Sequence, residues 1–141
     1  MPTLKERINL SYPVGKVFDV ALDIKHYPRI LPYIKSVRIL EKSEGHITAA
    51  IALGLSFINF TYRCEITYKQ NEFITVTSKE RLFKKFSARC IFEKTGHNET
   101  MITYELDARF ASPVFEMLAK VIMPYQAKAT LRTFKRYLGE A

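Results

Sequence analysis

Two cysteines are all that the 141 residues hold, Cys64 and Cys90, and neither belongs to a CxxC pair or a Cys/His cluster. That removes a disulfide framework and a thiolate metal site, and leaves two reduced thiols buried in strands as the expectation. His26, His46 and His97 fall in different segments with no i, i+4 pair, so no metal centre is expected. Five glycines and six prolines are too few for a low-complexity chain, and no internal repeat recurs at a useful period. No stretch approaches the ~18 consecutive apolar residues of a membrane span. The opening MPTLKERINL has neither a signal-peptide core nor the acid-poor character of a transit peptide. A soluble, cytoplasmic chain folded as one domain over residues 1–141 is the expectation.

What is present supports a real core. Hydrophobic residues make up 48% of the chain, including ten phenylalanines and eight tyrosines, and disorder is excluded on that composition. A domain of this length buries roughly two thirds of its unfolded surface. Lysine and arginine total 22 against 14 acids, a formal charge of +8. Such an excess favours polyanionic partners: anionic lipid headgroups, RNA or acidic protein.

Hydrophobic periodicity orders the chain. Leu4 to Leu10 alternates as a first strand, and Ser11-Tyr12-Pro13 starts a helix over Val14 to Leu22. Asp23 to Tyr33 reads as a short helical segment broken by proline. Strands follow at Val37–Lys42, His46–Phe57, Ile58–Lys69, Phe73–Lys79, Phe86–Glu93 and Met101–Phe110, with Gly54 expected to mark a bulge or curve. Ser112-Pro113 then opens a helix from Val114 to Leu138, with a kink expected at Pro124. The pattern is α+β: a strand, two short helices, six strands, then a long C-terminal helix.

The most informative stretch is Val17 to Ser36, VFDVALDIKHYPRILPYIKS, where a helix runs into Tyr27-Pro28 and then Leu31-Pro32. Each proline fixes its own φ and pushes its predecessor out of the α region, so the path is rigid. This element, within that order of strands and helices, resembles the START-like family of coenzyme Q-binding proteins and bacterial ribosome-association toxins, also labelled oligoketide cyclases. The resemblance covers essentially the whole chain. It implies a helix-grip fold, in which a curved antiparallel sheet of about seven strands wraps the long C-terminal helix around a cavity. Tyr27, Pro28, Leu31 and Pro32 match the family's signature region near the cavity mouth, and Tyr33 stands where relatives carry an aromatic, commonly tryptophan.

The inward strand faces bear on chemistry. The apolar sets of His46–Phe57, Ile58–Lys69, Phe86–Phe92 and Ile102–Phe110 contain no Asp, Glu, His, Lys or Arg. Acid–base catalysis needs a titratable group within hydrogen-bond reach of substrate, so the interior reads as chemically inert. Tyr62, Tyr68 and Tyr104 bring the only usable hydroxyls, either as core tyrosines or as contacts to the polar head of an apolar ligand. With the resemblance, Leu53, Leu55, Phe60, Tyr62, Phe92 and Tyr104 on the sheet, and Phe115, Leu118 and Ile122 on the helix, become the expected ligand wall.

The densest basic segment is Ser78 to Arg89, where Lys79, Arg81, Lys84, Lys85 and Arg89 surround Leu82, Phe83 and Phe86. It reads as a solvated hairpin tip, as an anionic-membrane contact with Phe83 entering the interface, or as a phosphate-binding surface for RNA. No DNA partner is expected. The resemblance implies a non-catalytic carrier of a hydrophobic molecule, ubiquinone or another polyprenyl lipid, supporting respiratory electron transport or quinone biosynthesis from the cytoplasm or the inner-membrane surface. No further cofactor is required. A toxin-like regulator on the ribosome is the alternative, and a cyclase-type enzyme is third.

Overall fold

The succession of elements follows that expectation in a computed structural model that describes residues 3–30, 34–55, 58–81 and 83–140, without the side chains of residues 3, 30, 55, 58, 115, 118–127 and 140. Strand β1 (Thr3–Leu10) leads into helix α1 (Val14–Leu22), a 3-10 turn (Ile24–His26) and the single-turn α2 (Tyr27–Ile30). Strands β2 (Ile34–Ser43), β3 (His46–Leu55), β4 (Ile58–Lys69), β5 (Phe73–Thr77), β6 (Phe83–Gly96) and β7 (Glu99–Phe110) precede helix α3 (Pro113–Glu140). All seven strands form one antiparallel sheet in the order β1-β7-β6-β5-β4-β3-β2. Its edges are β1 and β2, so α1 and α2 carry the chain from one edge to the other.

Antiparallel pairing sorts the connections into two ends. The α2–β2, β3–β4, β5–β6 and β7–α3 connections lie at one, called here the mouth. The β1–α1, β2–β3, β4–β5 and β6–β7 connections lie at the other, the base.

The base is packed solid. Val17, Phe18 and Ala21 fall on one face of α1, as helical spacing requires, and are buried. The Phe18 ring meets Phe92 edge-on at 5.2 Å and Tyr68 at 6.3 Å. Leu10, Ile47, Ile66 and, from the end of α3, Leu138 are completely or almost completely buried in the same core. Thr100 is fully buried there, and its hydroxyl donates to the Tyr12 carbonyl at 2.8 Å.

Among the described residues four register shifts bend the sheet, and none is at Gly54. They fall between Ile34 and Ser36 and between Ile39 and Glu41 in β2, and between Phe83 and Lys85 and between Lys94 and Gly96 in β6. Each inserts one extra residue opposite a partner strand and sharpens the local twist. Gly54 instead stays in register with Asn59. A Cβ there would come within 2.7 Å of Lys35 Cε and 2.8 Å of Asn59 Oδ1, the ends of side chains that can move aside.

Several strand boundaries differ from the periodicity reading: β2 starts at Ile34 rather than Val37, β6 runs to Gly96 rather than Glu93, β7 starts at Glu99 rather than Met101, and two more bear on the site. β5 ends at Thr77 rather than Lys79, because Ser78 leaves the ladder and its hydroxyl donates to the Arg63 carbonyl at 2.7 Å. β6 begins at Phe83 rather than Phe86, where Phe83 pairs with Phe110. Helix α3 is one element across Pro124, whose side chain lies outside the described residues.

Candidate functional site

Register decides which side chains share the concave face. Ile47 pairs with Ile66, Ala49 with Cys64, Ile51 with Tyr62 and Leu53 with Phe60 across β3 and β4. Phe86 pairs with Ala108, Ala88 with Leu106, Cys90 with Tyr104 and Phe92 with Ile102 across β6 and β7. Side chains of directly opposed residues stand on one face of an antiparallel pair. Among the described residues, the inner faces of these strands from Ile47 to Leu53, Phe60 to Tyr68, Phe86 to Phe92 and Ile102 to Phe110 carry no Asp, Glu, His, Lys or Arg; Lys94, in register with Thr100, follows at the base end.

Toward the mouth this face becomes aromatic. Phe83 is the hub: its ring lies 4.8 Å from Phe86, 5.2 Å from Phe110, 5.4 Å from Tyr62 and 6.4 Å from Phe60. Tyr62 also meets Phe86 at 5.5 Å and Phe60 at 6.1 Å. Such spacings and tilts are those that aromatic quadrupoles favour. Partly buried Leu53 and Phe60 border the cluster near the β3–β4 connection.

The expectation that Phe83 faces solvent with the basic residues is therefore corrected. Only 8% of Phe83 is exposed. Strict alternation would place Phe83 and Phe86, three residues apart, on opposite faces. The register shift makes Lys84 an extra residue and returns both rings to the inside.

The other expected site residues separate by position. The Tyr27 hydroxyl donates to the Ala21 carbonyl, pinning α2 against the end of α1, and Pro28 sits partly buried in the same turn. Tyr62 is buried in the mouth cluster, while Tyr104 is partly buried in mid-sheet opposite Cys90. Phe92 belongs to the base, against Phe18. Leu31 and Pro32 lie outside the described residues, as do the side chains of Leu55, Phe115, Leu118 and Ile122. Lys79, Arg81, Lys84, Lys85 and Arg89 are exposed, as expected. Lys85 pairs with Asp107 at 2.8 Å and Arg89 with Glu105 at 3.2 Å on the outer face.

Phe110, already read as inward, joins the cluster through its pairing with Phe83, which the sequence reading did not give. Glu6, in register with Tyr104, puts one carboxylate on the concave side at the β1 edge. Its alternation with Leu4, Ile8 and Leu10 already carried that signal.

The two thiols offer no nucleophile. Burial, with the neighbouring Glu65 charge adding to it and a backbone hydrogen bond from Ala49 opposing, pushes Cys64 up to about 12. Burial alone pushes Cys90 to about 12. Both are free cysteines and hold their protons at neutral pH. No group of three potential metal ligands occurs among the described residues. No helix among them is long and apolar enough to cross a membrane.

This geometry has relatives. Coenzyme Q-binding protein COQ10, mitochondrial, of Dictyostelium discoideum is 27% identical over 135 residues, which cover 93% of this chain and 66% of that protein. The ribosome association toxin RatA of Escherichia coli is 25% identical over 117 residues, covering 83% of this chain and 74% of the toxin. A START superfamily protein from Mycobacterium smegmatis superposes with a TM-score of 0.86 at 15% identity, over 98% of this chain and 97% of the other. That likeness establishes the helix-grip fold. The polyketide cyclase / dehydrase and lipid transport family is matched over residues 10–135, from the end of β1 to the last turns of α3. The chain belongs to that family, whose START-like fold it shares.

Proposed function

We propose that this protein binds a hydrophobic small molecule without transforming it, holding it between the mouth half of the sheet and α3. The carrying observation is the aromatic cluster around Phe83 on a face whose described residues in the mouth half of β3, β4, β6 and β7 bear no charge. Ligand pockets are largely apolar with a few placed polar groups, and Tyr62 and Tyr104 supply phenolic oxygens here. A phenol can donate one hydrogen bond while accepting another, which suits a carbonyl head on an apolar tail.

A polyprenyl quinone such as ubiquinone has that chemistry. The COQ10 relative supports the choice at 27% identity. Catalysis has little to work with: both thiols are protonated, and Glu6 is the lone carboxylate aligned with the inner face of β7 among the described residues. Cyclase chemistry would need a paired acid and base. Quinone delivery to respiratory or biosynthetic complexes is the role that follows.

Native mass spectrometry with organic extraction, followed by quinone titration, tests this reading. A co-purifying quinone and saturable binding, weakened by Phe60→Ala, are expected. An empty protein that shows no saturable binding refutes it. A second reading, association with the ribosome, rests on the RatA relative and the exposed cations of the β5–β6 connection. Ribosome co-sedimentation that persists at moderate salt would favour it.

A further inference from the structure

The mouth carries an exposed apolar pair as well as a buried aromatic cluster. Val114 is 62% exposed and Met117 67%, the two most exposed large hydrophobic side chains among the described residues. Three residues apart at the start of α3, they project from neighbouring positions on one helix face. Their backbone is held firmly. The Glu116 N–H donates to the Ser112 carbonyl at 3.0 Å, and the Glu116 carboxylate accepts from the Phe110 N–H at 2.7 Å.

Cations stand beside them. Phe83 pairs with Phe110, so the start of β6 adjoins the start of α3. Lys79 and Arg81, in the connection before β6, and Lys84, at its bulge, are exposed and make no ion pair among the described residues. Of the acids at this end, Asp107 pairs with Lys85 at 2.8 Å, while Glu80 and Glu116 accept from the backbone N–H groups of Arg63 at 3.3 Å and Phe110 at 2.7 Å and keep their charge. Asp19 lies on α1, and Glu44, Glu72 and Glu99 lie at base connections. At the mouth end the exposed cations Arg29, Lys35, Lys79, Arg81, Lys84 and Lys85 outnumber the acids Glu80, Asp107 and Glu116, so this end carries net positive charge near the apolar pair.

We propose that this end docks on an anionic lipid bilayer. Val114 and Met117 enter the interfacial layer, while Lys79, Arg81 and Lys84 meet headgroup phosphates. RNA would use the cations equally well, but aliphatic side chains give bases no stacking surface. The aromatic rings that could stack are turned inside. The surface sits over the aromatic cluster, so a docked molecule faces its ligand site to the bilayer. The docking itself does not depend on which ligand is bound.

Vesicle flotation tests the proposal, with phosphatidylcholine vesicles that contain or lack phosphatidylglycerol. The wild type should float with the anionic vesicles only. Lys79→Gln/Arg81→Gln/Lys84→Gln should weaken binding on the order of 100-fold at low salt, about fivefold per cation. Val114→Asn/Met117→Gln should weaken it about tenfold and leave quinone binding and thermal stability unchanged. Failure of the wild type to float overturns the proposal, as does either variant floating like the wild type. Loss of quinone binding in the apolar variant would also overturn it, because those side chains would then serve the ligand rather than the bilayer.

Discussion

Replacing Phe83 with alanine removes the hub of the mouth cluster. The side chain is 8% exposed and touches four aromatic rings at 4.8 to 6.4 Å. Burying a phenylalanine and then deleting it costs about 3–5 kcal/mol in transfer and cavity terms. The low end applies here, because the partly buried Phe60, Phe86 and Phe110 can relax toward the void. With an unfolding entropy of about 2.1 cal/mol/K per residue, a loss of about 3 kcal/mol lowers Tm by about 10 °C. Urea unfolding should show the same loss at unchanged slope. Deleting Lys84 provides the companion test. It restores strict alternation with Phe83 still opposite Phe110 on the inner face, so it should cost less than the alanine. A Phe83→Ala protein within about 0.5 kcal/mol of wild type would place the ring in solvent, as for ordinary surface substitutions, and refute the bulge argument.

Other consequences are open to simple assays. At about pH 8 a disulfide reagent should label neither Cys64 nor Cys90 in the folded protein and both in guanidinium, because thiolates react and these thiols are protonated. Above the ordinary value of 9.0 the unfolded chain loses these protons while the folded one keeps them to about 12. Stability should therefore fall across that window by up to about 1.4 kcal/mol per pH unit per thiol, and Cys64→Ala/Cys90→Ala should flatten the slope. Gly45 turns β2 into β3 at φ 77°, so Gly45→Ala should cost about 1 kcal/mol in chemical denaturation. Tyr27→Phe leaves the Ala21 carbonyl without its donor and should cost about 1 kcal/mol, with quinone affinity intact.

Much of this fold was legible because one signal repeats. Alternation in β3, β4 and β7 assigned Ile47, Tyr62, Cys64 and Ala108 to the inside, and all are buried. Helical spacing assigned Val17, Phe18 and Ala21, also buried. Alternation fails wherever the ladder slips. A bulge carries no reliable residue signature, and Lys84 is an ordinary exposed lysine, so periodicity alone turned Phe83 the wrong way. Gly54 shows the converse, a glycine that suggests a bulge but stays in register with Asn59. The division of the concave face was likewise invisible. Phe92 and Phe60 look alike in sequence, yet Phe92 packs beneath α1 and Phe60 reaches the mouth.

A coenzyme Q-binding protein and ribosome association toxins are both relatives of this chain, so the apolar, aromatic mouth of the concave face cannot by itself separate the two readings. The outer surface of the mouth can, through its response to salt. Three phosphate contacts from Lys79, Arg81 and Lys84 to ribosomal RNA would release counterions and give a log–log slope of about −2 to −3. Affinity would then fall about 100- to 1,000-fold for each tenfold rise in salt. On a bilayer the same cations are screened, but transfer of Val114 and Met117 out of water does not weaken with ionic strength. Bilayer affinity should therefore level off at high salt, and the Val114→Asn/Met117→Gln protein should lose that floor. A wild-type curve that keeps falling would leave the two exposed side chains without a contribution and favour the ribosome.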